Sequence, residues 1–139
     1  MNSPLQNALT LLGRLALAAL FLPAGLSKIS GFEGTVGYIT SAGLPLASLA
    51  AVMAILVEIG GGLALITGLF TRPAALLLAA FTAMASVTFH AYWAVPAEQA
   101  FIQQLMFYKN VGVVGGLLIL AAHGAGAWAI GAKQNQPNA

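Results

Sequence analysis

Cysteine is absent from this 139-residue chain, and charge is scarce: five Lys and Arg with three Asp and Glu, 6% of all residues. The missing thiols remove disulfide frameworks, dithiol redox chemistry and thiolate metal sites. An ordinary soluble domain carries roughly 25% charged residues, so a soluble bundle built from this composition could not keep its outer faces wet. The net charge of +2 comes without any Lys or Arg patch, which excludes nucleic-acid binding through phosphate neutralisation. A phosphate loop, a nucleophile elbow and a dinucleotide fingerprint are also missing, so no catalytic motif marks an enzyme.

What fills the chain instead is hydrophobic residue, 60% of it, gathered into four apolar stretches. The expected fold class is an all-α membrane protein, a four-transmembrane-helix bundle. Its spans are expected at about Leu9 to Leu26, Leu46 to Phe70, Ala74 to Val95 and Leu105 to Ala122. Four spans of about 20 residues occupy roughly 80 positions, which leaves short loops, a single domain over 1–139, and no room for a soluble catalytic domain. The segment from Met1 to Thr10 lacks a positive side chain and Arg14 lies inside the first stretch, so that stretch is expected to be a retained helix rather than a cleaved signal.

The connections differ in character. Thr71, Arg72 and Pro73 leave space only for a tight hairpin, with Pro73 in the first turn of the third helix, where a missing N–H does no harm. Between Ser27 and Pro45, Phe32, Val36 and Ile39 share one helical face, which predicts a short interfacial helix between the first two spans. The third connection sets Tyr92 and Trp93 before Pro96, Glu98, Gln99, Gln103 and Gln104, the pattern of an aromatic membrane-interface belt. Four spans put both termini on one side with Arg72 and Lys133, and Glu33 and Glu98 on the other. If Lys28 and Lys109 belong to the bundle, the positive-inside rule places both termini in the cytoplasm.

Candidate functional residues follow from the cost of charge in hydrocarbon. Arg14, Glu58, His90 and Lys109 each sit within or at the edge of an apolar stretch, where an ionisable group is expected to face the bundle interior with a partner. Counting about 1.5 Å per residue from the centre of each span puts Glu58 near the midplane, Arg14 roughly 4 to 6 Å toward the termini, and Lys109 and His90 about 7 to 10 Å the other way. Glu58 is therefore the expected hub, with Arg14 and Lys109 as competing partners and Asn110 beside them. Two cations around one carboxylate leave a positive excess able to bind an anion or a quinone carbonyl, or to fix helix register. Lys28, Tyr92 and Trp93 read as peripheral. His90 and His123 belong to opposite sides, so no metal site is expected.

Spacing supports the inward orientation. Arg14, Ala18, Phe21, Gly25 and Lys28 form one stripe of the first span. Gly60, Gly61 and Gly62 follow Glu58, and Gly112, Gly115 and Gly116 follow Asn110; small residues of this kind are chiefly packing surfaces that let membrane helices approach closely.

The segments "GRLALAALFLPAGLSKISGFEGTVGYITSAGLP", "EIGGGLALITGLFTR", "FHAYW", "FYKNVGVVGGLLIL" and "HGAGAW" together resemble the DoxX family of small bacterial inner-membrane proteins, over nearly the whole chain from Leu12 to about Gly131. The resemblance implies a four-helix bundle in the cytoplasmic membrane with polar residues at Arg14, Lys28, Glu58, Arg72, His90, Lys109 and Asn110. It also implies a link to quinone-coupled sulfur oxidation or to membrane redox complexes. Three functions are then in play: an accessory subunit of a membrane redox assembly, partnered by a membrane or peripheral oxidoreductase; a quinone-handling subunit; and a small anion or proton transporter, which would need a homo-oligomer to form a path. No cofactor beyond a quinone is suggested.

Overall fold

The computed structural model describes residues 3–130 and 132; Lys133, on which the reading of the tail rests, lies outside the described residues. Among the described residues there are five α-helices and no strand: α1 Pro4–Ser30, α2 Phe32–Ser41, α3 Ala47–Thr67, α4 Thr71–Phe89 and α5 Ala97–His123. Four candidate spans meet the length and hydropathy of a bilayer crossing: α1, α3, α4 with the short turn to Ala94, and α5. Large apolar side chains such as Leu12, Leu56, Leu77 and Ile119 are exposed on the outside, where acyl chains are their solvent.

Local chemistry sets the helix ends. Ser3 and Gln6 cap α1 reciprocally, the Gln6 N–H donating to Ser3 Oγ at 3.2 Å and the Ser3 N–H to Gln6 Oε1 at 2.8 Å, with Pro4 opening the helix. Gly68, at φ 78°, ends α3 by donating its N–H to the Ala64 carbonyl, a left-handed cap that suits glycine. The α3–α4 hairpin is as tight as expected, with Pro73 in the first turn of α4.

Helix ends depart from the expected span limits, most at the α4–α5 connection, while the third candidate span, Thr71–Ala94, closes near the expected Val95. α4 ends at Phe89 rather than near Val95, because the chain turns through Tyr92–Ala94 into an extended Val95 that Pro96 favours. α5 begins at Ala97 rather than near Leu105. Its first two turns mix Glu98, Gln99, Gln103 and Gln104 with Phe101 and Ile102, and Glu98 there complements the positive end of the helix dipole.

The segment between the first two spans is helical, as the pattern of Phe32, Val36 and Ile39 predicted. It packs against the N-terminal half of α3, buries Ile39, and stacks Tyr38 on Phe89 of α4 with ring centroids 5.1 Å apart. The apolar core sits between the four spans, on Ala18, Phe21, Leu65, Ala75, Leu78, Ala79, Leu117 and Leu120. Small residues bring the helices close: a Cβ on Gly61 would stand 2.7 Å from Leu78, and one on Gly62 3.1 Å from the Leu22 Cβ.

Candidate functional site

The antiparallel contact of α1 with α3 fixes what Glu58 meets. A Cβ on Gly25 would lie 3.1 Å from the Glu58 Cβ and 3.2 Å from the Ile59 backbone nitrogen, so the two backbones nearly touch there. Lys28 stands on the same face, three residues further along α1. Its ammonium donates to both Glu58 oxygens, at 2.8 and 3.0 Å, and approaches the Ala24 carbonyl at 3.5 Å. The Glu58 side chain is 8% exposed and that of Lys28 is 27% exposed, so the carboxylate is the more deeply set of the two.

This pair corrects the expected hub, because Arg14 and Lys109 are not the partners of Glu58. Arg14 lies 14 residues before Lys28, roughly 21 Å along α1. It is buried at 1% exposure, and its guanidinium donates to the Leu65 carbonyl at 3.2 Å and to the Trp128 carbonyl. The spans α1 and α3 are not centred on one plane, as counting from span centres assumes. Gly25 against Glu58 and Leu22 against Gly62 show that α1 is shifted toward the termini relative to α3. The same register sets Ser30 level with about Ala54, roughly 10 Å short of the start of α3, and α2 occupies the remaining height.

Lys109 is exposed rather than buried, and the contact described for its ammonium is the Met106 sulfur at 3.7 Å. Asn110, its neighbour, is buried. His90 caps the end of α4 and donates from Nδ1 to Gln103 Oε1 at 2.8 Å, tying α4 to α5. Tyr92 and Trp93 pack edge-on against Phe107, with Tyr108 completing an aromatic group at the α4–α5 turn.

Lys28, Glu58, His90, Lys109 and Asn110 line one cavity of about 440 Å³; Arg14 does not. The rest of its wall is mostly apolar, with Phe21 from α1, Tyr38 from α2, and Phe81 and Phe89 from α4. Thr82 also faces it, 5% exposed, and its hydroxyl has no hydrogen-bond partner among the described residues. A hydroxyl in mid-helix ordinarily returns to the carbonyl four residues earlier, as Ser86 does to Thr82 at 2.6 Å. The Thr82 hydroxyl is therefore free to meet a guest, and leaving such a group buried and unmet is costly.

From sequence alone Lys28 reads as peripheral, and Thr82, Tyr38 and Phe81 do not stand out. The signal for Lys28 was available in the stripe it shares with Gly25. For Thr82 the signal is weaker, one polar residue on the inward face of α4, four positions before Ser86.

Four apolar spans around a cavity with a paired carboxylate define a small multi-pass membrane protein with an internal polar site. The chain belongs to the DoxX family, whose profile matches residues 9–91. It is 37% identical over 122 residues to the inner membrane protein YphA of Escherichia coli (strain K12), covering 88% of this chain and 87% of the relative. It is 40% identical over 126 residues to the inner membrane protein YqjF of the same organism, covering 91% and 92%. Its place is accordingly the inner membrane. No solved structure matches.

Proposed function

We propose that this protein is an accessory subunit of a membrane redox assembly, and that its cavity takes the ring of a lipid-soluble quinone. The observation that carries this reading is the unpartnered Thr82 hydroxyl in an aromatic-walled cavity that also holds the Lys28–Glu58 pair. A flat apolar ring with two carbonyl oxygens requires that combination: apolar walls for the ring and a few convergent polar groups for the oxygens. A bound quinone would supply electron-carrying chemistry that none of these side chains has.

The residues divide the binding task. The Thr82 hydroxyl, the Asn110 amide and the Lys109 ammonium are donors available to a carbonyl oxygen. The Glu58 carboxylate keeps lone pairs beyond those taken by Lys28, and so can accept from a ring hydroxyl. Lys28 itself is occupied on Glu58 and near the Ala24 carbonyl, which makes it a positioning residue.

The test is extraction in mild detergent, mass spectrometry of the co-purified lipids, and melting with and without a short-chain ubiquinone analogue. Co-purified quinone is expected, with stabilisation near 2.7 kcal/mol when the analogue is at about 100 times its Kd. Thr82→Val is expected to lose that stabilisation while melting like the parent without ligand. No quinone in the extract and no shift on addition would remove the reading.

A further inference from the structure

A second cavity, of about 560 Å³, lies between α1 and α5 at the end of the bundle where the chain begins. It is apolar along its length, from Leu9, Leu17, Ile119 and Leu120, and polar at its outer end, from Gln6, Thr10 and His123. Glycine on each wall keeps it open: a Cβ on Gly13 would meet nothing within 4 Å, and one on Gly116 would meet only Leu17, at 3.8 Å. From Gln6 to Leu17 the slot runs roughly 16 Å along α1. That is about half of the 30 Å hydrocarbon thickness, one leaflet's depth, of which the apolar part from Thr10 to Leu17 is roughly 10 Å, room for the upper part of an acyl chain below a polar mouth.

Among the described residues, side-chain charge at this end has one sign. Among the described residues the three acids lie elsewhere: Glu33 on α2, Glu58 at the middle of α3, and Glu98 at the start of α5. Arg14 lines the slot, and its Nε is buried with no partner. Two backbone carbonyls hold its guanidinium, but they carry no net charge to neutralise it. Arg72 is not part of the slot wall, but its Nε stands 3.1 Å from where a Cβ on Gly124, which lines the slot, would be, and its side chain is exposed. Next to hydrocarbon the Arg14 charge is weakly screened, so an anion at the slot mouth is stabilised without touching it.

We propose that this slot binds one anionic phospholipid, with an acyl chain between α1 and α5 and the phosphate between His123 and Arg72. The ligand is a lipid rather than free phosphate because most of the slot is apolar and only its mouth is polar. The site is separate from the Glu58 cavity and does not depend on what that cavity holds.

The test is native mass spectrometry of the full chain in detergent with added phosphatidylglycerol or phosphatidylethanolamine. One phosphatidylglycerol should be retained, preferred about tenfold over phosphatidylethanolamine, as expected for cations near the headgroup. Arg72→Gln should cut that preference about fivefold, the loss of one such cation. Gly116→Leu, which fills the slot, should abolish retention of either lipid. Leu9→Trp fills it from an exposed wall position and serves if Gly116→Leu does not fold. Equal retention of the two lipids, retention unaffected by the filled slot, or displacement of the lipid by inorganic phosphate would each overturn the proposal.

Discussion

The two ends of the bundle each hold an inward-facing cation, Lys28 part-buried and Arg14 fully buried, and they settle its charge differently. At the α2 end Lys28 meets a carboxylate, and the pair borders a cavity. At the termini end Arg14 meets no carboxylate; it bridges the carbonyl of Leu65, in the last turns of α3, and that of Trp128, in the segment after α5. The planar fork of a guanidinium suits two carbonyls, and the C-terminal end of α3 adds the negative pole of its dipole. Further bonds fasten the same segment: the Ala127 N–H donates to Asn7 Oδ1 at 3.2 Å, and the Ile130 N–H to the Thr67 carbonyl at 2.8 Å. The termini end is thus a clamp, while the α2 end is a pair with room beside it.

The sharpest way to break this contrast is Arg14→Met. It removes two charge-assisted bonds and strands two carbonyls, at a cost of about 3 kcal/mol or more. Thermal unfolding in detergent, followed by circular dichroism, should show the lowered midpoint. Arg14→Lys should recover less than half of the loss, because one ammonium cannot reproduce the fork. A parent-like midpoint for Arg14→Met would show that the segment after α5 does not depend on the clamp.

Next in size is Gly25→Leu, which tests the close approach that sets up the Lys28–Glu58 pair. A Cβ there would stand 2.7 Å from Ile59 Cγ1, and the Ile59 backbone nitrogen at 3.2 Å leaves α1 nowhere to go but away from α3. Overpacking of this kind costs about 1 to 3 kcal/mol. Gly112→Ala is the control, because nothing lies within 4 Å of its Cβ position. Its midpoint should match or exceed the parent's, alanine being the better helix former by about 1 kcal/mol at most. Equal losses at Gly25 and Gly112 would mean that helix approach at Gly25 is not what holds α1 in register.

Glu58→Gln should cost less, about 1 kcal/mol, since Lys28 is 27% exposed and can turn its amine outward once the carboxylate is gone. A cycle with Lys28→Met isolates the pair; coupling of at least about 0.5 kcal/mol is expected for side chains in direct contact. Additive losses would mean that the two side chains do not hold each other.

How much of this was legible in the sequence depends on the range of the physics involved. The four spans follow from local composition, and the stripe Arg14, Ala18, Phe21, Gly25 follows from helical periodicity; all four are buried in α1 as that spacing requires. The helix over Phe32–Ser41 was legible for the same reason. The shift of α1 against α3 was not, because it depends on α2 filling the height above Ser30, a tertiary fact with no local trace. That shift moved Arg14 out of reach of Glu58 and brought Lys28 in. The carbonyls that hold Arg14 are backbone atoms, which any residue supplies, so no side-chain pattern could announce them.

Lys109→Gln should have the smallest effect on stability, within about 0.5 kcal/mol, as for exposed side chains in general. Its ammonium is exposed and its described contact is one sulfur, so neither of the two solutions to buried charge applies to it. The same substitution should weaken binding of the short-chain quinone analogue, because Lys109 borders the Glu58 cavity without holding it together. Melting and ligand titration of one variant therefore separate a binding role from a structural one. A large fall in the melting midpoint would mean that Lys109 is held by something outside the chain, a second copy or a bound lipid. The contrast between the paired and clamped ends would then have to admit a third cation whose partner is not its own.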